Sequence, residues 1–357
     1  MGVLQPKGAR VKQASFEFDG ESLITQDMIS GNLVHAEASA EANEAKVAHT
    51  QVALLLEMTR QRLEKPGSEF PAMATLFSEL HKARMRYNPS IWAELVKLIQ
   101  NHPVAAIIHE DPFTRRSFEK PRGYSGDAGL LDFIYKHKSR AAEMADASNR
   151  GRAINAYTNE APAACAVRER RELLAREVDS VSETVGRDAE VLTIAAGHLR
   201  EVELSSAFNN GALKRWVALD QDPMSIGVMT RDLAGSSVEP LNGSVRGLLK
   251  GDYALGQFDL VYAAGLYDYL PDPVAIKLTK TCINLLKPGG RFLMANFADD
   301  IVDDGYMETM MNWSLILRNN EDMWRIVNGS VDRNATKVDV WRGENGNIIY
   351  AVIEKKD

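Results

Sequence analysis

Residues 188–222 hold the side chains best suited to gripping a nucleoside. They read DAEVLTIAAGHLREVELSSAFNNGALKRWVALDQD. The apolar run 191–194 ends in Ala195-Ala196-Gly197, and the run 216–219 ends in Asp220, followed by Gln221. Small residues let backbone approach a ligand, and a helix N-terminus offers unpaired N–H groups. A carboxylate about twenty residues further on accepts hydrogen bonds from ribose hydroxyls. Asp220 is therefore the candidate ribose acid, with Ala195, Gly197, Glu201 and Gln221 grouped near it. Gly197 taken alone is equally an ordinary strand-to-helix turn; Asp220 at the end of the next strand favours ligand binding. His198 reads as a loop histidine. His198 and Leu199 depart from G-x-G-x-x-G, which counts against a nicotinamide dinucleotide.

Two later stretches extend this pattern. Asn242-Gly243-Ser244-Val245 follows Asp220 at about one strand length and is open between a plain polar turn and an adenine edge. In the second case Ser244 bonds the base edge and Val245 packs on its flat face. Residues 258–269 read FDLVYAAGLYDY. A buried strand there ends in Ala264 and Gly265 and then delivers Tyr267, Asp268 and Tyr269. Ligands of open parallel sheets lie beyond the strands' carboxyl ends. That makes Tyr267, Asp268 and Tyr269 substrate-side candidates, with Tyr267 a candidate catalytic residue, against packing on the next helix as the plainer role of each.

The elements that must position these groups follow from hydrophobic period. Apolar residues recur at three- and four-residue steps over 38–110, which predicts packed helices stopped at Pro66-Gly67 and restarted at Asn88-Pro89-Ser90. A structured loop, Phe118-Glu119-Lys120-Pro121-Arg122-Gly123-Tyr124-Ser125-Gly126-Asp127, comes next, and Asp127 opens another helix. One long helix is expected over 152–178. From residue 189 the pattern becomes short apolar runs, at 191–194, 216–219, 258–264 and 291–297, alternating with helical stretches. That alternation predicts βαβ units and a parallel sheet. Segments 337–341 and 347–353, joined by Gly343-Glu344-Asn345-Gly346, predict a closing antiparallel hairpin. The expected division is an arm or short hairpin over 1–36, a helical N-terminal or lid domain over 37–150, and a ligand-binding α/β domain over 151–357.

Composition sets the outer bounds. The chain has 357 residues, 45% hydrophobic and 25% charged, with a net charge of -7. A nucleic-acid surface would show a basic stripe, so no nucleic-acid partner is expected. No apolar run is long enough to span a bilayer, and no signal-peptide core is apparent. Its two cysteines, Cys165 and Cys282, have no metal-site spacing, so no metal is expected and the cytoplasm is the expected compartment.

These motifs together resemble the class I S-adenosylmethionine-dependent methyltransferases over about residues 185–357. The resemblance rests on the 191–201 loop, Asp220, Phe258-Asp259-Leu260-Val261, Leu286-Lys287-Pro288-Gly289-Gly290 and the closing hairpin, which in that family adds an antiparallel strand. This loop has fewer glycines than the family's. A narrower resemblance, over most of 110–357, is to the bacterial group tied to 3-hydroxypalmitic acid methyl ester (extracellular factor) biosynthesis. It is carried by residues 120–127, Arg200-Glu201-Val202, Gly243-Ser244-Val245-Arg246, Gly265-Leu266-Tyr267-Asp268-Tyr269-Leu270 and residues 310–318.

The resemblance implies S-adenosyl-L-methionine as cofactor and a small-molecule acceptor. It implies cofactor contacts at Tyr124, Asp127, Ala195, Gly197, Glu201, Asp220, Gln221, Gly243, Ser244, Val245, Ala264 and Gly265. Tyr124 and Asp127 would fold over the cofactor as a lid, and Arg122 would bind the methionine carboxylate or a substrate acid. Tyr124, Arg122 and Tyr267 are the candidate catalytic residues; Tyr306 and Trp313 are further substrate-side candidates. Segment 306–317 is open between the wall of an apolar pocket and a buried helix. A homodimer through the N-terminal helices is a further expectation. A carboxylate acceptor, ionised at neutral pH, needs no general base, and no His stands beside an acid at 262–270 to supply one. Two other readings remain: a dinucleotide-dependent oxidoreductase, and a binding protein that kept an adenosine pocket without turnover.

Overall fold

The computed structural model describes the backbone of residues 26–356 and the side chains of residues 41–356. The hairpin considered for residues 15–21 lies outside the described residues. Contacts divide the chain into two compact units, residues 1–50 and 51–357. Residues 26–50 are helical, the first part of α1 (Gln26–Leu63).

In the larger unit the helical half holds the rest of α1, then α2 (Glu69–Arg86), α3 (Pro89–Asn101), α4 (Pro103–Ile108) and α5 (Pro112–Glu119). The last three start on a proline in the first turn, where its missing N–H is no loss. Asn88, His102 and Asp111 cap them by accepting backbone N–H groups. After the 120–127 loop come α6 (Ala128–Ile134), α7 (Ala141–Asp146), α8 (Asn149–Thr158) and α9 (Pro162–Val185). The single helix expected over 152–178 is thus two. Pro162 carries no N–H and disfavours helical geometry in Ala161, so α8 stops and α9 restarts one turn on.

The α/β half runs β1 (Glu190–Ile194), α10 (Ser206–Asn209), β2 (Arg215–Asp220), α11 (Pro223–Asp232), β3 (Val238–Asn242), α12 (Val245–Lys250), β4 (Phe258–Ala263) and α13 (Asp272–Asn284). It closes with β5 (Leu286–Phe297), α14 (Asp304–Thr309), α15 (Asn320–Ser330), β6 (Thr336–Arg342) and β7 (Ile348–Lys355). The strands form one seven-stranded sheet in the order β3-β2-β1-β4-β5-β7-β6. β1 to β5 pair in parallel; β7 is antiparallel to both β5 and β6. This is the Rossmann-like class I methyltransferase sheet with its closing antiparallel hairpin, preceded by helices. An all-parallel dinucleotide-binding sheet has no inserted antiparallel strand.

Two details differ from the sequence reading. β3 is an additional strand; it holds only Val238 and Leu241 as aliphatic residues and includes Pro240, which a sheet edge tolerates. The Pro288-Gly289-Gly290 turn lies inside β5 as a bulge: Phe258 pairs with Leu286, and Leu260 with Arg291. In segment 306–317 helix covers only the start. α14 ends at Thr309, and an irregular stretch with neither helix nor strand follows, with Asn312 left-handed at φ 49°.

Candidate functional site

Beyond the carboxyl ends of β1, β2 and β4 lies a cavity of about 590 Å³. That falls within the ~300–1,000 Å³ usual for small-molecule sites. The β1 end contributes Thr193 and residues 195–201; the β2 end contributes Leu219, Asp220 and Gln221. Gly243 and Val245 close one side, and Tyr262, Ala264, Gly265 and Leu266 the other. The 120–127 loop, Tyr135, Arg170, Leu174, Tyr269, Asn312 and Ser314 complete the wall.

The turn after β1 keeps a glycine-like backbone with fewer glycines than the family pattern. Ala195, Gly197 and Leu199 have φ of 58°, 59° and 51°, so every second residue is left-handed. Such geometry costs a non-glycine residue roughly 1–2 kcal/mol. Gly197 has a second reason to be glycine: a Cβ there would lie 3.1 Å from the Ala128 Cβ. The Gly197 N–H donates to Asp220 Oδ2 at 2.7 Å, and the Asp222 N–H donates to Oδ1 at 2.8 Å. Each carboxylate oxygen keeps a further lone pair for a ligand hydroxyl. Burial raises the Asp220 pKa, and the two N–H bonds partly offset it.

The deep end of the cavity is polar. Glu201 is buried and accepts from the Tyr262 hydroxyl; burial pushes its carboxyl above the ordinary range. Arg170 is also buried and donates through Nη1 to the Ala264 carbonyl at 2.7 Å. Sequence reasoning missed Arg170, Tyr135 and Tyr262. For Arg170 a signal was present: it falls in phase with Val167, Leu174 and Val178 on the buried stripe of α9, where a solvated arginine would not stand.

The 120–127 loop folds across one side. Tyr124 lines the cavity, and its hydroxyl donates to Asp222 Oδ2 at 3.0 Å. Arg122 Nη1 donates to the same Asp222 oxygen at 2.8 Å and to Ser225 Oγ at 3.1 Å. Arg122 Nη2 meets His198 Nε2 at 3.1 Å; arginine only donates, so Nε2 accepts and Nδ1–H donates to Asp132 at 2.9 Å. Burial alone would raise the Asp132 carboxyl, but His198 and Arg200 outweigh it and hold it well below its usual range. Arg122 therefore joins the loop to the β1 and β2 turns instead of facing the cavity. Asp127 does not face it either. Its Oδ1 accepts from the N–H groups of Gly129 and Leu130 and from Arg116, capping α6.

Other candidates are displaced from the cavity for similar reasons. Ser244 caps α12, accepting from the Gly247 N–H at 3.1 Å, while its neighbours Gly243 and Val245 line the wall. Tyr267 is fully buried, with its hydroxyl 2.7 Å from Thr279 Oγ1, under the strand end. Tyr306 is fully buried with its hydroxyl 2.9 Å from Thr114 Oγ1. Trp313 is buried and donates from Nε1 to the Tyr269 hydroxyl at 2.8 Å. Tyr269 is the aromatic of 267–269 that reaches the cavity. Of the predicted contacts, Tyr124, Ala195, Gly197, Glu201, Asp220, Gln221, Gly243, Val245, Ala264 and Gly265 are brought together.

No family model and no curated protein matches the chain. Among solved structures, a possible exported protein from Bordetella parapertussis is similar over 87% of this chain and 97% of its own, at 15% identity and a TM-score of 0.52. N-methyltransferase NodS from Bradyrhizobium japonicum WM9, in complex with S-adenosyl-L-homocysteine, is 18% identical over 63% of this chain and 100% of its own, with a TM-score of 0.39. Magnesium protoporphyrin IX methyltransferase (ChlM) from Synechocystis PCC 6803, with bound SAM, is 12% identical over 53% and 81%, with a TM-score of 0.38. At such identity the first likeness shows a shared fold. No helix among the described residues is long and apolar enough to cross a membrane.

Proposed function

We propose that this chain is an enzyme that transfers the methyl group of S-adenosyl-L-methionine to a small-molecule acceptor. One observation carries the reading. The left-handed turn after β1, the acid ending β2 and the small residues ending β4 all open into a single cavity, on a sheet with the methyltransferase strand order. Asp220 would accept from the ribose hydroxyls, with Gln221, Gly243 and Val245 around the adenosine. Ala195, Gly197, Glu201, Ala264 and Gly265 would take the methionine end. The small side chains of Ala195, Gly197, Ala264 and Gly265 leave backbone exposed to a ligand, which supports the fit. The bound sulfonium supplies an already activated methyl group, so positioning is the main task left to the chain. The φ values at Ala195 and Leu199 count against a pocket that has decayed, because the demanding backbone has been kept.

The acceptor we favour is a carboxylate such as a hydroxy fatty acid, giving a methyl ester; N- or O-methylation of another metabolite is the alternative. In this reading residues 151–357 bind the cofactor and residues 37–150 supply the helical half with Tyr124 as its lid contact. A cytoplasmic location and a homodimer through the N-terminal helices complete the proposal; sedimentation would test the second. The central claim is tested by calorimetric titration of the full chain with S-adenosyl-L-methionine and with NAD. Binding of the former alone is expected. Asp220→Ala should weaken that binding at least tenfold, and unchanged affinity would place the pocket elsewhere. Asp220→Asn, which keeps an oxygen for the Gly197 N–H, should fall between. Release of S-adenosyl-L-homocysteine on adding cell extract distinguishes turnover from mere binding.

A further inference from the structure

Asp132, His198, Arg122 and Asp222 are joined in one chain of hydrogen bonds. It links α6, the turn after β1, the 120–127 loop and the turn after β2. His198 is only 5% exposed and the Arg122 side chain 10%. Methyl transfer to an ionised acceptor gives this histidine no chemical step, so its burial among charges calls for another role.

The bonds fix the state of the imidazole. Nδ1–H donates to Asp132 and the Nε2 lone pair accepts from Arg122, so His198 is neutral in this arrangement. A proton added at Nε2 replaces that lone pair with a second N–H, and the two cations would then face each other across 3.1 Å.

The neighbouring charges are already matched. Arg200, from the turn after β1, pairs with Asp132 at 2.9 Å, and Arg122 pairs with Asp222 at 2.8 Å. Asp127 lies 3.7 Å from Arg122 but is taken by Arg116 at 2.9 Å. Asp232 of α11 stands farther out, 3.7 Å from Arg200. His137 lies beyond Asp132, at 3.9 Å, with Glu203 on its other side at 3.2 Å. Against burial, which would raise it, His198 and Arg200 hold the Asp132 carboxyl low, so it stays ionised while an imidazole titrates. A proton on His198 thus adds an unmatched charge to a buried cluster, which is strongly unfavourable. Arg200 is fixed by both oxygens of Asp132, whereas Arg122 is carried by a loop. Gly123 beside it is left-handed at φ 83°, with nothing within 4 Å of where a Cβ would stand, so the backbone has room to turn. Because Arg122 uses one guanidinium for both partners, turning away from His198 also disturbs its bond to Asp222.

We propose that His198 is the positioning residue of the loop over the cavity: neutral, it holds Arg122 and keeps the loop closed; protonated, it displaces Arg122 and loosens the loop. Imidazoles change charge between about pH 5 and 8. The closed loop therefore belongs to the upper part of that range and is lost as pH falls. Loop closure stands on this cluster alone; its effect on donor binding rests on the methyl-transfer reading.

The test is peptide-resolved hydrogen exchange of the full chain between about pH 8 and about pH 5.5, normalised to the unfolded-peptide rate at each pH. Protection of residues 120–127 should fall several-fold at the acid end while peptides of β1, β4 and β5 keep theirs. His198→Gln puts an amide oxygen near the place of Nε2 and takes no proton, so its loop protection should not change with pH. Arg122→Met should show low loop protection at both ends of the range, and it decides alone if His198→Gln does not fold. His137→Gln should behave as the native chain. Constant protection in the native chain, or a fall that survives in either the His198 or the Arg122 variant, would overturn the proposal. So would a fall that disappears in His137→Gln. Calorimetric titration with S-adenosyl-L-homocysteine over the same range should show weaker binding at the acid end in the native chain and a smaller change in His198→Gln. A loop that responds as expected in a chain that binds no S-adenosyl-L-homocysteine at any pH would keep the latch and sink the methyl-transfer reading.

Discussion

Gly197 and Ala195 occupy the same backbone region two residues apart, so a swap at each separates strain from contact. Gly197→Ala adds left-handed strain and crowds Ala128; a loss of about 1–2 kcal/mol in denaturant unfolding is expected, with weaker donor binding. Ala195→Gly relieves similar strain, offset by about 0.5–1 kcal/mol of unfolded-chain entropy. Its stability should stay within about 1 kcal/mol of the native chain, and a larger loss would mean that φ at 195 is not strained. Asp268 offers a pH test. It is fully buried, accepting from the Phe297 N–H at 2.7 Å, and burial lifts its pKa to about 6. The folded form then holds its proton more tightly than the unfolded one. This group's contribution therefore falls as pH rises from about 4 to 6 and is constant above, over a range of up to about 3 kcal/mol. Unfolding titrations across that range should show a flatter slope for Asp268→Asn; an unaltered slope would show the carboxyl is not the proton acceptor.

Among elements, the 120–127 loop is joined to the sheet mainly through Asp222, which receives both Arg122 and Tyr124. Asp222→Ala should leave the fold intact but raise peptide-resolved hydrogen exchange across 120–127 several-fold. Protection equal to the native chain would mean that packing, not these bonds, holds the loop. Gly126 shows how closely this loop approaches the β4 end: a Cβ there would lie 2.4 Å from the Tyr269 hydroxyl. Elements also set how much could be read from sequence. Gly197, Asp220 and Ala264 were legible because strand ends and turn residues mark the chain itself. β3 was not, because Pro240 and scarce apolar residues hide an edge strand. Tyr267 and Trp313 were misplaced because composition fixes neither the course of an irregular stretch nor which aromatic of a cluster turns inward. Arg170 was overlooked because α9 carries many charges, and only its phase against the buried stripe sets it apart.

At the scale of the molecule, the helices α2 to α5 are fastened to the segment that carries Asn312. Trp92 Nε1 donates to Glu308 Oε2 at 2.7 Å, Arg84 pairs with Glu308, and His109 and Ser117 hold the carbonyls of 310 and 311. Ser117→Ala should therefore lower turnover several-fold while leaving the dissociation constant of the methyl donor unchanged. Equal loss of donor affinity would show that the two halves of the cavity move as one.

The margins of the sheet limit how copies of this chain could associate. One outer strand carries Pro240, with no N–H to offer a neighbour, and the other carries Lys337 and Asp339 along its length. Edge-on polymerisation is thereby discouraged from both sides. Any self-association must then use surfaces other than backbone ladders, leaving growth into fibrils without a template even at high concentration.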